Sequence, residues 1–318
     1  MNAISAVAAD ISARLPGLEC RFGEMMSGHT SLRIGGPVTA MFLPKTARQL
    51  QSLYSMLSER GVAPIVIGNG ANILADGRGF DAIAVKTSGV NDVCLAPDGQ
   101  IRADAGVTLR RLAVFARDNG LSGLEFAHGI PGTLGGAIVM NAGAYGGQMS
   151  DAVSTVRIMP RTGGADGTRE IDSAECGFEY RRSRFADGGE LVVSASICLS
   201  RGDAVGITAR MEELAGRRRS CQPLDLPSAG SAFKRPKDGY AAALIEEAGL
   251  KGFAIGGARV SEKHAGFVVN ASNAEFDDVL RLMESVRNRV SELFGVELEP
   301  EIKILRRDAN GGARLWKF

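Results

Sequence analysis

The spacing of hydrophobic positions changes several times along this chain, and the changes mark out its elements. Ile4, Val7, Ala8, Ile11 and Leu15 recur at helical spacing with Asp10 opposite, which predicts an amphipathic surface helix. Residues 46–60 predict a second helix, with Leu50, Leu53, Tyr54 and Leu57 on one face and Gly61 closing it. The run Pro64-Ile65-Val66-Ile67 ends at a glycine, as a short buried strand does. Residues 107–119 predict another helix, closed by Gly120, so the first third has an α/β character. Residues 153–200 look β-rich, with Val156-Arg157-Ile158 and 191–199 as strands. The pattern shifts near Arg201-Gly202-Asp203. Beyond it lies the longest expected helix, 274–294, with a stripe of Phe276, Val279, Leu280, Met283, Val286, Val290 and Leu293 that stops at Gly295. A strand over 296–305 is expected next, placing Val296, Leu298, Ile302 and Ile304 on one face and Glu297, Glu299, Glu301 and Lys303 on the other.

Composition narrows the function. A length of 318 residues suits two or three packed units, and 45% apolar residues are what a folded globular chain carries. Lys plus Arg number 37 and Asp plus Glu 36, a balance that predicts no electrostatic grip on nucleic acid or membrane. The run Arg217-Arg218-Arg219 is too short to alter this and reads as a solvated helix end. Five scattered cysteines without a CxxC pair indicate neither a disulfide framework nor zinc, and fit reduced thiols in the cytoplasm. The three histidines, His29, His128 and His264, show no metal-ligand spacing, so no metal is expected. The first residues lack a secretion pattern, and no stretch nears the roughly 20 apolar residues of a membrane span.

Glycine is the unusual residue. The chain has 41, about 13% where about 7% is ordinary, and they cluster. One cluster is Gly68-Asn69-Gly70-Ala71-Asn72, after the expected strand; smaller ones are Gly163-Gly164 and Gly256-Gly257. The densest has seven glycines in residues 129–147, which is costly in backbone entropy unless the geometry is used. Such loops let successive N–H groups converge on an anion and let a flat ligand approach the backbone, as a dinucleotide requires. A nicotinamide-type Rossmann site would need GxGxxG, but Gly68-Asn69-Gly70 supplies only GxG and position 73 is Ile.

Here the chain resembles a known family. Gly129-Ile-Pro-Gly-Thr-Leu-Gly-Gly-Ala-Ile-Val-Met-Asn-Ala-Gly-Ala-Tyr-Gly is similar to the flavin loop of the UDP-N-acetylenolpyruvoylglucosamine reductases, or UDP-N-acetylmuramate dehydrogenases. Also similar are His29-Thr-Ser-Leu-Arg-Ile-Gly-Gly-Pro37, Val66-Ile-Gly-Asn-Gly-Ala-Asn-Ile-Leu74, Tyr180-Arg-Arg-Ser-Arg-Phe185 and Pro227-Ser-Ala-Gly-Ser-Ala-Phe-Lys-Arg-Pro236. Ala248-Gly-Leu-Lys-Gly252, Val260-Ser-Glu-Lys-His-Ala-Gly-Phe267 and Leu298-Glu-Pro-Glu-Ile302 complete the family order. The short stretch between Tyr180 and Ser231 resembles the second type of the family, which lacks an inserted tyrosine loop.

The resemblance implies an α+β fold. Two subdomains hold FAD as in the class related to vanillyl-alcohol oxidase, and a C-terminal α/β domain takes a UDP-sugar. The implied division is 1–88, with 300–318 a candidate to return to it, then 89–203, then 204–305. The implied reaction uses NADPH and FAD to reduce UDP-N-acetylglucosamine enolpyruvate to UDP-N-acetylmuramate, a cell-wall precursor, in a cytoplasmic protein expected to be a monomer.

The resemblance also implies roles. Ser231 matches the proton donor, Arg181 the active-site arginine and Glu301 the catalytic glutamate. Such a reaction needs an acid near a developing carbanion and a cation for its carboxylate. Arg181 lies between Phe178, Tyr180 and Phe185, which suggest a semi-buried strand. Implied cofactor contacts are Arg33, Gly68, Asn69, Gly70, Ala71, Asn72, Gly129, Pro131, Gly132, Thr133, Gly135, Gly136, Asn141 and Gly143. Tyr180, Lys234, Arg235 and Lys263 are candidates for the substrate, the last three for its diphosphate. Many relatives carry a lysine where this chain has Cys221; if that lysine holds substrate phosphate, another cation must serve here. Two rival readings are an oxidase of the same fold and a non-catalytic flavin binder. The joint presence of Arg181, Ser231 and Glu301 argues against both.

Overall fold

A computed structural model describes residues 3–160 and 167–316; the glycine pair at 163–164 lies outside them. The chain forms two units, each assembled from separated segments. The first comprises residues 1–22, 40–69 and 83–217, and the second 23–39, 70–82 and 218–318.

The first unit is built on two sheets. One has four strands in the order Glu19–Phe22, Val38–Leu43, Phe80–Lys86, Ile65–Ile67, with its last pair parallel. The helix Ala47–Glu59 covers it, and its N-cap Thr46 accepts a hydrogen bond from the Gln49 N–H, satisfying a donor the helix leaves open. Leu50, Leu53, Tyr54 and Leu57 are buried as the spacing predicts, against Ile83 and Val85 and beside Ala8 and Ile11 of the helix Ala3–Arg14. Burying each leucine is worth about 1.5–3 kcal/mol, so the amphipathic face, not helix propensity, holds this layer. The second sheet is antiparallel, in the order Arg169–Asp172, Val153–Pro160, Glu190–Ile197, Ile101–Asp104, Val93–Leu95. A separate core fills behind it, where Leu109 and Leu112 of the helix Leu109–Asp118 meet Leu134, Ile138, Val156, Ile158 and Ile197.

The second unit has its own core around the helix Phe276–Phe294, with Val279, Met283, Val286 and Val290 fully buried. Gly295 ends the helix at φ 67°, the left-handed cap a glycine takes without strain. The expected stripe needs two corrections. Leu293 is 46% exposed because Phe294 packs on the core in the final turn instead, and Leu282 is buried. Beside the helix runs an antiparallel sheet ordered Ser228–Ser231, Phe267–Asn270, Ala258–Val260, Ala254–Ile255. A three-stranded sheet joins Lys303–Arg307 to Ala313–Trp316 and, in parallel, to Ile73–Ala75.

The strand expected over 296–305 therefore begins only at Lys303. The alternation of burial holds, with Leu298, Ile302 and Ile304 buried and Glu297 and Glu299 exposed. Ladder pairing does not start earlier because Pro300 has no N–H to give, and the segment makes only an isolated bridge from Pro300 to Phe233. The buried carboxylate of Asp76 ties the three-stranded sheet together. It accepts the N–H, Nε and a terminal guanidinium N–H of Arg78 and the backbone N–H of Arg307. Burial pushes this carboxyl up, but those hydrogen bonds outweigh it and hold the group at about 2.

Candidate active site

In the first unit the dense glycine segment starts in a loop and continues as the short helix Leu134–Met140, which Asn141 ends in the left-handed conformation at φ 41°. Its N–H groups are not all open to a ligand. Those of Leu134 and Gly135 go to the carbonyls of Val107 and Ala105 at 2.8 Å. A Cβ on Gly135 would stand 2.9 Å from that of Ala105, so this glycine is required by packing. Before it, the Ile130 N–H goes to the Ala127 carbonyl at 3.0 Å and the Gly132 carbonyl accepts the Leu109 N–H at 3.0 Å, so only part of the backbone of residues 129–133 is left for a ligand.

Thr133 is 1% exposed, and its hydroxyl has no hydrogen-bond partner. A buried hydroxyl without a partner costs about 1–3 kcal/mol, which a protein tolerates where a ligand completes it. The hydroxyl sits 2.2 Å from where a Cβ on Gly68 would lie, so only glycine fits at 68. Asn69 donates from Nδ2 to the Pro131 carbonyl at 3.4 Å. The two glycine clusters, far apart in sequence, thus meet at Gly68, Asn69, Pro131 and Thr133. A bare backbone wall beside an unanswered hydroxyl suits a flat, hydrogen-bonding group such as a flavin dinucleotide. Lys86, which sequence reasoning did not single out, ends a buried strand here; its Nζ donates to the Gly68 carbonyl at 3.4 Å, and burial pushes its pKa down.

Arg181 does not lie on a strand. Residues 179–182 form a tight turn closed by reciprocal backbone bonds between Glu179 and Arg182. Arg181 is its third residue at φ 56°, a conformation that costs a side-chain-bearing residue about 1–2 kcal/mol. Contacts to neighbouring segments hold it there. Its guanidinium donates to the Gly143 carbonyl at 2.9 Å and lies 5.1 Å from the Tyr180 ring centre, while Asn141 Nδ2 donates to the Glu179 carbonyl at 3.1 Å. Strain of this kind, kept by surrounding contacts, collects at functional positions.

In the second unit Ser231 ends the strand Ser228–Ser231, whose pairing with Phe267–Asn270 is interrupted by a bulge between Ser228 and Ser231. Gly230 takes φ 80° within it, so the bulge re-aims Ser231 away from a regular ladder. The next residue, Ala232, donates its N–H to the Gly266 carbonyl at 2.8 Å and accepts the Glu301 N–H at 2.9 Å. Glu301 is therefore joined through its backbone to the residue that follows Ser231, 69 positions earlier in the chain. Below them His264 Nδ1 accepts the Gly266 N–H at 3.1 Å, and the His264 ring meets Phe267 edge-on at 5.0 Å. Burial pushes the His264 pKa down, which keeps that nitrogen an acceptor.

The candidate cations of this unit are spread out. Lys234 donates to Glu299 Oε2 at 2.8 Å, Arg235 stacks 4.1 Å from the Tyr240 ring centre, and Lys263 reaches the Arg219 carbonyl at 2.6 Å near the end of the helix Ala204–Cys221. Arg33 is exposed at φ 58°. Gly70 lies where any Cβ would meet the His29 carbonyl at 2.0 Å. Among the described residues no cluster of three or more His, Cys, Asp and Glu could hold a metal ion, and no helix is long and apolar enough to cross a membrane.

Comparison with known proteins gives this arrangement its class. Residues 38–165, which include the loops meeting at Gly68 and Thr133, match the FAD binding domain, and this places the chain among flavin-dinucleotide-binding proteins of mixed α+β architecture. Residues 222–305, which include Ser231 and Glu301, match the C-terminal domain of UDP-N-acetylenolpyruvoylglucosamine reductase. The reductase of that name from Caldanaerobacter subterraneus subsp. tengcongensis is 46% identical over 89% of this chain and 92% of its own. The one from Syntrophomonas wolfei is 43% identical over 92% and 96%. The crystal structure of the Thermus caldophilus reductase, at 32% identity, covers 90% of this chain and 98% of its own with a TM-score of 0.74. The chain belongs to the UDP-N-acetylenolpyruvoylglucosamine reductase family.

Proposed function

We propose that this chain is an FAD-dependent oxidoreductase that uses NADPH to reduce UDP-N-acetylglucosamine enolpyruvate to UDP-N-acetylmuramate, a step of peptidoglycan precursor synthesis. The observation that carries the reading is the backbone bond joining Glu301 to the end of the Ser231 strand, within a chain of this family. Bound FAD supplies the two-electron store between NADPH and the enolpyruvyl carbon. Gly68, Asn69, Gly70, Ala71 and Asn72, Gly129, Pro131, Gly132 and Thr133, and Arg33 would hold it. Gly135, Gly136, Asn141 and Gly143 would support that wall, and the unanswered hydroxyl of Thr133 favours this assignment.

Arg181 would pair with the substrate carboxylate, since a guanidinium matches it with two parallel hydrogen bonds and stays charged. Tyr180 would border the same group. Ser231 would give its proton to the carbon beside that carboxylate, and Glu301 would be the second group at the developing charge. A positioned acid of this kind is worth about 10²–10⁴ in rate. Lys234, Arg235 and Lys263 would bind the diphosphate. Lys263 reaches the Arg219 carbonyl, two residues from Cys221, which supports it as the cation that takes the place of the lysine many relatives carry there.

The proposed division is 1–88, 89–203 and 204–305, and the hydrophobic cores run across its bounds: Leu32, Ile34 and Leu74 pack with the core around Val279, and Met159, Leu191 and Val193 with that around Leu50. The return of 300–318 to residues of the first part is supported by the pairing of Lys303–Arg307 with Ile73–Ala75. A cytoplasmic location fits five free cysteines, and the near-neutral charge of +1 offers nucleic acid no electrostatic grip; the chain is proposed to act as a monomer. The test is anaerobic. The purified protein should be yellow, NADPH should bleach it, and the enolpyruvyl UDP-sugar should restore the colour rapidly. A colourless protein that takes up no FAD would sink the proposal, and restoration by oxygen alone would make it an oxidase.

A further inference from the structure

Glu301 is pinned from both sides, and one of the pins comes from the glycine loop. A residue's Cα–Cβ direction is set by the two peptide planes that flank it. For Glu301 the preceding plane is fixed by its N–H on the Ala232 carbonyl at 2.9 Å. The following plane is fixed by its own carbonyl, which accepts from Asn72 Nδ2 at 3.0 Å. The main chain of Asn72 adds a third tie, since its carbonyl accepts the Lys303 N–H at 3.0 Å as the parallel pairing begins. Asn72 therefore grips residues 301–303 with both its side chain and its backbone. The amide side chain is committed to the glutamate's main chain, although by position it closes the glycine segment of residues 68–72.

We infer that Asn72 is a positioning residue for Glu301: its side-chain amide sets the direction in which the glutamate presents its carboxyl group, and any role it has toward the cofactor is confined to its backbone. The inference rests on the role proposed above for Glu301. The donor is what matters, because an acceptor at the same place would face the Glu301 carbonyl lone pairs and turn the peptide away. Asn72→Asp keeps size and shape and replaces that donor with a carboxylate.

The experiment separates the two half-reactions in the FAD-loaded enzyme. For Asn72→Asp, any loss in reduction of the flavin by NADPH and in FAD affinity should be much smaller than the loss in transfer to the sugar. Reoxidation by the enolpyruvyl UDP-sugar should slow by about 10–100-fold, mostly in the maximal rate and not in the substrate concentration for half-saturation. Asn72→Ser, smaller and still a donor, should lose less than Asn72→Asp and guards against a variant that fails to fold. Added to Glu301→Gln, the Asn72→Asp change should cause almost no further loss, as expected of two residues acting as one unit. Equal loss in both half-reactions, a loss confined to FAD binding, or an unchanged reoxidation rate in the FAD-saturated enzyme would overturn the inference. A fully active Glu301→Gln is a separate result, which removes the role of Glu301 itself.

Discussion

The glycine wall of the first unit and the Ser231–Glu301 pair of the second are built in opposite ways. At the wall, side chains are removed until backbone meets backbone, as at Gly68 against Thr133, and one hydroxyl is left without a partner. At the pair, backbone groups are tied one after another, from Gly266 to Ala232 to Glu301 to Asn72, so that side chains are aimed. The first construction makes room and the second makes direction. A binding surface tolerates small displacements, whereas a group that must move a proton does not.

The contrast can be broken most forcefully at Ser231. Ser231→Ala should slow transfer to the UDP-sugar by about 10³-fold while NADPH still reduces the flavin at the parental rate. Stopped-flow traces of the two half-reactions decide this, and an equal loss in both would remove Ser231 from proton delivery. Arg181→Lys comes next. It keeps the charge but cannot make the two parallel bonds, so about a 10²-fold loss in kcat/KM is expected, with the melting temperature nearly unchanged. A variant as active as the parent would show that charge alone suffices.

Thr133→Val sharpens the comparison from the side of the wall. Removing a buried hydroxyl that lacks a partner should stabilise the FAD-free protein by about 1 kcal/mol and weaken FAD binding about 10-fold. Denaturant titration and flavin release measure the two, and losses in both would mean that the hydroxyl has a partner inside the protein. The smallest effect concerns Asp76. Its pKa of about 2 lies below the ordinary 3.8, so its contribution is complete above about pH 4 and is lost as pH falls toward 2. Asp76→Asn should flatten that part of the stability profile, and a parallel profile would assign the acid sensitivity elsewhere. Arg78 is 65% exposed, so salt should weaken the contribution as well.

What could be read from sequence follows the same contrast. The helices at 47–59 and 109–118 rest on spacing within one turn and its caps, so their pattern and their structure agree. The wall showed in composition, because crowded glycines leave a mark whatever they pack against. The turn at Arg181 left none. Aromatic neighbours suggested a strand, but the backbone is held left-handed by a carbonyl 38 positions away. The strand expected from Val296 failed for a related reason: burial alternates there, yet Pro300 cannot join a ladder. Glu301 could be chosen among its neighbouring glutamates only through family resemblance. The contact that singles it out physically comes from Asn72, 229 residues earlier.

The parallel pairing of Lys303–Arg307 with Ile73–Ala75 has a consequence for how the protein is made. The segments of the first unit have all been synthesised once residue 217 is reached, but the second unit needs residues 23–39, 70–82 and 218–318 together. Its early segments must wait through most of translation for the strand that completes their sheet. Such long loop closures slow folding, so unit two should be the late and rate-limiting step. A nascent chain stalled before residue 303 should protect the first unit from protease and leave residues 70–82 open to cleavage.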